Sequence, residues 1–252
     1  MNVSVIIPAA GLGTRMGRET AGVSRKQFML LDGAPILVHT IRKFCQAPSV
    51  TEIVVALRAD DQEWGRQMLA EEQFPKPVRL VEGGDSRQES VENALAQVAG
   101  TAEHLVAVHD AVRPFVSPEL IEKVIAEAAE KGAAILGVVP VDTVKRVRQH
   151  SIRATLPREH LALAQTPQVF RYALLKQAFE SAREAGFIGT DESSLVERLE
   201  TVDVSVVQGS DRNIKITKPG DMDLARLFLS EEKDGEEEEG PSEASEGEAA
   251  QS

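Results

Sequence analysis

The stretch from Val3 to Gln27, VSVIIPAAGLGTRMGRETAGVSRKQ, restricts the possible folds more than any other part of this chain. It starts with Val3, Val5, Ile6 and Ile7, an apolar and β-branched run without the alternation of a half-exposed strand. That is the pattern of a parallel strand buried on both faces. Pro8 ends the run, and Ala9, Ala10, Gly11, Leu12 and Gly13 turn the chain with mostly small side chains. Without bulk in the way, backbone N–H groups can close on an anion and point at it, forming a phosphate-binding nest. Arg15 and then Lys26 add two cations to the same loop. A strand, a small-residue loop and two cations suit a triphosphate; the plain alternative is a tight turn after a strand.

Two familiar nucleotide loops do not match. The dinucleotide fingerprint needs G-x-G-x-x-G opening straight into a helix, with an acidic residue about 20 positions later. Here the third glycine, Gly17, comes one place late and a polar loop follows, while Asp32 belongs to the turn Leu31-Asp32-Gly33. The G-x-x-x-x-G-K-[ST] signature of the Walker A loop is missing altogether.

The length, 252 residues with 42% hydrophobic content, suits one large α/β domain with a full core. No apolar run reaches the roughly 18 residues of a membrane span, and no charged segment leads an apolar one at the start. The expectation is a cytoplasmic protein with no membrane contact. The single cysteine, Cys45, falls in an apolar helical pattern and reads as core. The formal charge of −12 is concentrated at one end. Residues 231–252 carry ten acidic side chains and one lysine, a net −9, which leaves −3 for residues 1–230. That tail lacks aromatic and β-branched residues and is expected to be disordered. A globular part without surplus positive charge is a poor partner for nucleic acid. The domain is therefore placed at 1–230 and a disordered acidic tail at 231–252.

Strand and helix signals then alternate. Helices are expected over Pro35–Cys45, Asp60–Glu72, Ser86–Val98 and Pro118–Lys131, and strands over Glu52–Leu57, Pro77–Val81, Leu105–His109 and Ala133–Val139. This rhythm predicts a Rossmann-like, doubly wound, mostly parallel sheet, whose ligands bind at the carboxyl ends of the strands. From about residue 140 to 160 apolar and basic residues alternate (Val144, Lys145, Arg146, Val147, Arg148), which predicts a protruding two-stranded arm. A lone hairpin is only marginally stable in water, and a partner subunit could support it. Helices over Arg171–Ala185, Asp191–Leu199 and Pro219 to about Ser230, and a strand over Thr201–Val207, complete the expectation.

Several clusters fall at strand ends. Asp110, in His109-Asp110-Ala111-Val112-Arg113-Pro114, is placed to bind Mg2+ with phosphate oxygens, or simply to cap a turn. Gly83, Gly84, Asp85 and Ser90 could receive a base and its ribose, or form an ordinary capped helix start. Lys215 stands between Ile214 and Ile216, so its ammonium points away from the core, toward a site or simply into solvent. Thr190, with Asp191 and Glu192, is a helix start that could also face the site. Five scattered histidines and one cysteine cannot assemble a zinc site. Arg15, Lys26, Arg113, Arg158, Lys215 and a metal carboxylate fit phosphoryl or nucleotidyl transfer, where positioning and charge stabilisation dominate.

In order, the chain carries P-A-A-G-x-G-x-R-M at Pro8–Met16, Lys26-Gln27, Gly83-Gly84-Asp85-x-Arg87 with Ser90, His109–Pro114, Asp142–Arg146, Thr166-Pro167-Gln168, Thr190-Asp191-Glu192 and Asn213–Thr217. Over residues 3–229 this ordered set resembles the 2-C-methyl-D-erythritol 4-phosphate cytidylyltransferases of the non-mevalonate isoprenoid pathway. The resemblance implies that CTP and methylerythritol phosphate react to give the cytidyl diphosphate alditol and pyrophosphate with Mg2+, in a homodimer whose arms interlock. It implies catalytic roles for Arg15, Lys26, Arg158 and Lys215, with Asp110 on metal and substrate. Ala10, Gly11, Gly13, Gly84, Asp85 and Ser90 would hold the nucleotide. Arg113 and Thr190, with Thr143 and Arg158 of the other subunit's arm, would surround the alditol phosphate. No proline precedes the lysine of the first loop, so Arg25 is the alternative to Lys26 there. A ribitol 5-phosphate cytidylyltransferase and a nucleotide-binding module without turnover are the competing readings.

Overall fold

The computed structural model describes residues 2–11 and 25–238, with side chains described as far as residue 234. Gly13 and Arg15 lie outside the described residues. Six strands and their helices follow the expected alternation: β1 (Val3–Pro8), α1 (Ile36–Gln46), β4 (Val50–Leu57), α2 (Gln62–Glu71), β5 (Val78–Glu82), α3 (Arg87–Leu95), β6 (Leu105–Val108), α4 (Pro118–Lys131) and β7 (Ala133–Val138), with β11 (Ser205–Gln208) near the end. A small hairpin of β2 (Leu30–Leu31) and β3 (Ala34–Pro35) precedes α1. Its two-residue turn is Asp32-Gly33, both with positive φ (51° and 81°), as a type I′ turn requires.

The main sheet has seven strands in the order β11-β7-β10-β6-β1-β4-β5, where β10 spans Leu163–Arg171. From β1 the chain winds outward through β4 and β5, then returns to place β6 on the other side of β1. The gap between the ends of β1 and β6 is the switch point at which open α/β sheets bind ligands.

Alternation along each strand fills two cores. Val5, Ile7, Ile53, Val55 and Ala107 face α1, α2 and α4, while Ile6, Val54, Ala56, Val106 and Val108 face α3, α5 (Tyr172–Glu184) and α6 (Glu192–Glu197). Apolar demand on both faces is why these segments are continuously hydrophobic. Cys45 is buried in the first core, as expected.

Three features differ from the sequence expectation. No strand is among those the sequence predicts at β10, where Pro167 in AQTPQVF is a residue that central strands disfavour. It nonetheless runs antiparallel between β6 and β7, and the β7 register shifts between Gln165 and Gln168, so that Pro167 sits where the ladder is already broken. The last strand is shorter, Ser205–Gln208 in place of Thr201–Val207. The closing helix, α7, runs from Pro219 to Glu238 and so takes in residues 231–238 of the expected disordered tail. Ion pairs hold it there: Arg212 to Glu231, Lys43 to Glu232, and Lys233 to Asp32.

The arm is present as expected, with β8 (Val144–Arg148) and β9 (Ser151–Leu156) paired antiparallel. Val147 and Ile152 on it are 56% and 64% exposed. Among the described residues, no helix is long and apolar enough to cross a membrane. On β10, Phe170 is fully buried. Phe170→Ala should cost about 3–5 kcal/mol in urea denaturation, the range for emptying a buried aromatic site.

Candidate active site

The carboxyl ends of β1, β5 and β6 open on a cleft of about 430 Å³. Its floor is backbone from Pro8 to Gly11. Gln27 fixes that floor, its buried side-chain amide donating to the carbonyls of Ala9 (2.6 Å) and Gly11 (3.1 Å). Lys26, beside it, lines the cleft, whereas Arg25 pairs with Asp61. Of Arg25 and Lys26, it is therefore Lys26 that reaches the cleft.

The second wall is the turn after β5. A Cβ on Gly83 would stand 2.7 Å from the Ala10 Cβ and 3.0 Å from Ser90 Oγ, so the two loops touch only because that side chain is missing. Gly84 N–H donates to Ser90 Oγ (3.0 Å), and Ser90 donates back to the Ser86 carbonyl (2.7 Å). Ser86 caps α3 by accepting from Glu89 N–H. Gly84, Asp85 and Ser90 all line the cleft.

The third wall carries most of the charge. Asp110, its side chain 9% exposed, meets three cations from three segments: Arg87 Nε to Oδ1 (3.2 Å), Arg113 Nε to Oδ2 (3.3 Å) and Lys215 Nζ to Oδ2 (2.9 Å). Burial pushes this carboxyl up, but Arg87, Lys215 and Arg113 outweigh it and hold Asp110 well below the usual carboxylate range. Arg87 also bonds both oxygens of the buried Glu192 from Nη1, at 2.7 and 2.9 Å. Despite its desolvation, the two carboxylates drive the Arg87 pKa up, so it stays charged.

Behind Asp110, β10 supplies the support. The Asp110 N–H donates to Thr166 Oγ1 (3.1 Å), which lies 3.1 Å from His109 Nδ1. His109 Nε2 faces the carbonyl of Arg113 at 3.0 Å and must donate there, so Nδ1 accepts from the threonine hydroxyl. Burial against Phe44 lowers the His109 pKa to about 4, and the ring is neutral. Asn213 donates to the Thr166 carbonyl (2.9 Å) and accepts from Arg113 Nη1 at its own carbonyl (2.6 Å).

The cleft thus gathers Ala10, Gly11, Lys26, Gly84, Asp85, Ser90, Asp110 and Lys215, with Arg113 held against Asp110 from outside the lining. Thr143, Arg158 and Thr190 are exposed and do not line it; Arg158 reaches the Val141 carbonyl on its own arm. Arg58, Arg87 and Gln27 line it without having been singled out as site residues. Arg87 was visible in its motif. Arg58 followed a strand end, the position that predicts ligand contact, but carried no other mark. Among the described residues, no three His, Cys, Asp or Glu side chains come together as a metal cage.

The 2-C-methyl-D-erythritol 4-phosphate cytidylyltransferase family model matches residues 3–231. A protein of that name from Solibacter usitatus is 63% identical over 239 residues, 92% of this chain and 97% of its own. One from Acidobacterium capsulatum is 48% identical over 234 residues, covering 91% and 98%. Among solved structures, the 2-C-methyl-D-erythritol 4-phosphate cytidylyltransferase of Thermus thermophilus superposes with a TM-score of 0.72 at 34% identity, covering 91% of this chain and all of that one. The 4-diphosphocytidyl-2C-methyl-D-erythritol synthase of Anaerococcus prevotii gives a TM-score of 0.79 at 30% identity, covering 90% and 96%.

Two measurements check this geometry. Between pH 6.5 and about 4 the unfolded chain protonates His109 and the folded chain does not, so the stability present above pH 6.5 is lost as pH falls. Urea midpoints from pH 8 to 4.5 should show a loss approaching about 3 kcal/mol from this group; a flat profile would mean that the folded ring carries a proton. Gly83→Ala should push the β5 turn away from Ala10 and raise the KM for nucleotide about tenfold, a 1.4 kcal/mol effect.

Proposed function

The chain belongs to the 2-C-methyl-D-erythritol 4-phosphate cytidylyltransferase family, and we propose that its cleft joins CTP to 2-C-methyl-D-erythritol 4-phosphate. The products are 4-diphosphocytidyl-2-C-methyl-D-erythritol and pyrophosphate, in isoprenoid precursor biosynthesis. Beyond family membership, the observation that carries this reading is a cleft at the switch point of the sheet lined by Lys26 and by Arg87 and Lys215, the latter two on one ionised carboxylate.

An oxygen of the alditol phosphate forms a bond to the α-phosphorus of CTP. The bond from that phosphorus to the β-phosphate oxygen breaks, and pyrophosphate leaves with the electron pair. The nucleophile is ionised at neutral pH, so no general base is required. Lys26, with Arg15 on the same loop, balances charge growing on the α-phosphate and the leaving group, and Lys215 keeps the reacting groups in line. Gly84, Asp85 and Ser90 read the cytidine from backbone and side-chain polar groups.

Mg2+ fits Asp110. Of the roughly four acceptor positions of a carboxylate, three are taken by Arg87, Arg113 and Lys215, which leaves one on Oδ1. Mg2+ commonly takes only one or two carboxylates and completes its shell with phosphates and water. When bound, it draws negative charge from the triphosphate.

Thr143 and Arg158 reach an alditol phosphate only from a second copy. The exposed Val147 and Ile152 of an arm that is otherwise unsupported favour a homodimer in which the arms cross. The buried, unpaired Cys45 suits a cytoplasmic setting.

Pyrophosphate release with CTP, Mg2+ and either methylerythritol phosphate or ribitol 5-phosphate tests the assignment. Turnover with the first alone is expected. Lys26→Ala should lower kcat about a thousandfold, some 3–4 kcal/mol, as for one lost transition-state donor. Release only with ribitol 5-phosphate would overturn the substrate and keep the chemistry.

A further inference from the structure

Glu192 is a buried carboxylate for which the proposed reaction has no use. Its side chain is 1% exposed, it does not line the cleft, and it forms an ion pair with Arg87. It is also held rigidly. Asp191 beside it caps α6 by accepting from Ser194 N–H (3.0 Å). Gln168 on β10 donates to Asp191 Oδ2 (2.7 Å) and accepts from Ser193 N–H (3.1 Å). Glu192 is thereby tied to the same strand whose Thr166 accepts from the Asp110 backbone.

The Arg87 guanidinium is divided between two carboxylates. Nη1 makes two short bonds to Glu192, and Nε makes one longer bond to Asp110. An arginine facing a single carboxylate frequently closes on it through two parallel bonds. With Glu192 in place, Nη1 is held by Glu192 and Arg87 meets Asp110 through Nε alone. Without it, Nη1 is released, the guanidinium is free to turn further onto Asp110, and a second nitrogen can cover the last acceptor position. Burial raises the Glu192 pKa, while the two short bonds from Arg87 favour its ionised form; with Glu192 ionised, Arg87, Arg113 and Lys215 against Asp110 and Glu192 leave one net positive charge, and loss of Glu192 makes it two.

We propose that Glu192 is a positioning residue that acts through Arg87: by drawing the guanidinium aside, it keeps one face of the Asp110 carboxylate open to a divalent cation bound with the nucleotide. This rests on the reading of Asp110 as a metal carboxylate.

The test is Mn2+ binding to the enzyme–CTP complex, followed by water proton relaxation, with Mn2+ as the probe for Mg2+. The proteins are wild type, Glu192→Gln, Arg87→Gln, the double variant and Asp110→Asn. Glu192→Gln should weaken Mn2+ about tenfold or more, the range for lost outer-shell partners of a metal ligand. In the Arg87→Gln background the same change should do nothing further. The double variant removes both buried charges together, which a fold tolerates far better than loss of one, so the comparison survives if Glu192→Gln does not fold. Additive effects of the two substitutions on Mn2+ binding, or unchanged Mn2+ affinity in a folded Glu192→Gln, would overturn the proposal. If Asp110→Asn itself binds Mn2+ as wild type does, it is the reading of Asp110 that fails.

Discussion

Asp110 stands where three parts of the chain converge, and its negative charge is what lets Arg87 from α3, Arg113 from the loop after β6 and Lys215 from the segment before α7 share one small volume. Removing one partner from such a buried set leaves an uncompensated charge and costs far more than the net worth of any pair. The surrounding architecture is consistent with that dependence. The Asp110 backbone is fixed by Thr166, the histidine before it is neutral and doubly hydrogen-bonded, and Arg113 is tied to the carbonyl of Asn213. A cluster of cations that would repel one another is thus already assembled before an anionic ligand arrives, so the reorganisation it demands on binding is small.

A third hydrophobic cluster underlies this arrangement. Leu31 and Ile36 follow the Lys26 segment, Val112 lies between Asp110 and Arg113, and Ile216 follows Lys215; all pack with Met222 and Ala225 of α7. Val112 and Ile216 are two and one positions from Asp110 and Lys215, which line the cleft, and Leu31 and Ile36 lie farther along the chain from Lys26. Burial of these side chains sets the direction of the chain at each place, and the adjacent polar side chains then point outward together. In this sense α7 belongs to the site without lining it, and its ion pairs to Asp32 and Lys43 extend the same bracing.

Much of this was legible before any coordinates. Continuous apolar runs gave the buried parallel strands, and short polar segments after them gave the loops that meet at the cleft. What stayed hidden depends on contacts far apart in sequence. Local rules argue against β10 because Pro167 cannot join a ladder; only the register shift beside it makes the proline acceptable. Glu192 looked like the first-turn carboxylate of a short helix, and its partner lies 105 positions away on α3. Residues 231–238 have the composition of a disordered tail, yet ion pairs formed by Glu231, Glu232 and Lys233 favour continuation of α7. Charge composition measures how a segment behaves alone, and these segments are not alone.

The strand order has one more consequence. Because β7 and β10 are hydrogen-bonded neighbours running in opposite directions, everything between Val138 and Leu163 is, topologically, the turn of a hairpin. A turn can be lengthened, shortened or exchanged without any strand changing its neighbours. The arm is therefore a separable module inserted between two strands: its sequence is free to change while the ends of β1, β5 and β6 keep the cleft they form. Diversification of such a scaffold needs no redesign of its interior, only a new loop at this one insertion point.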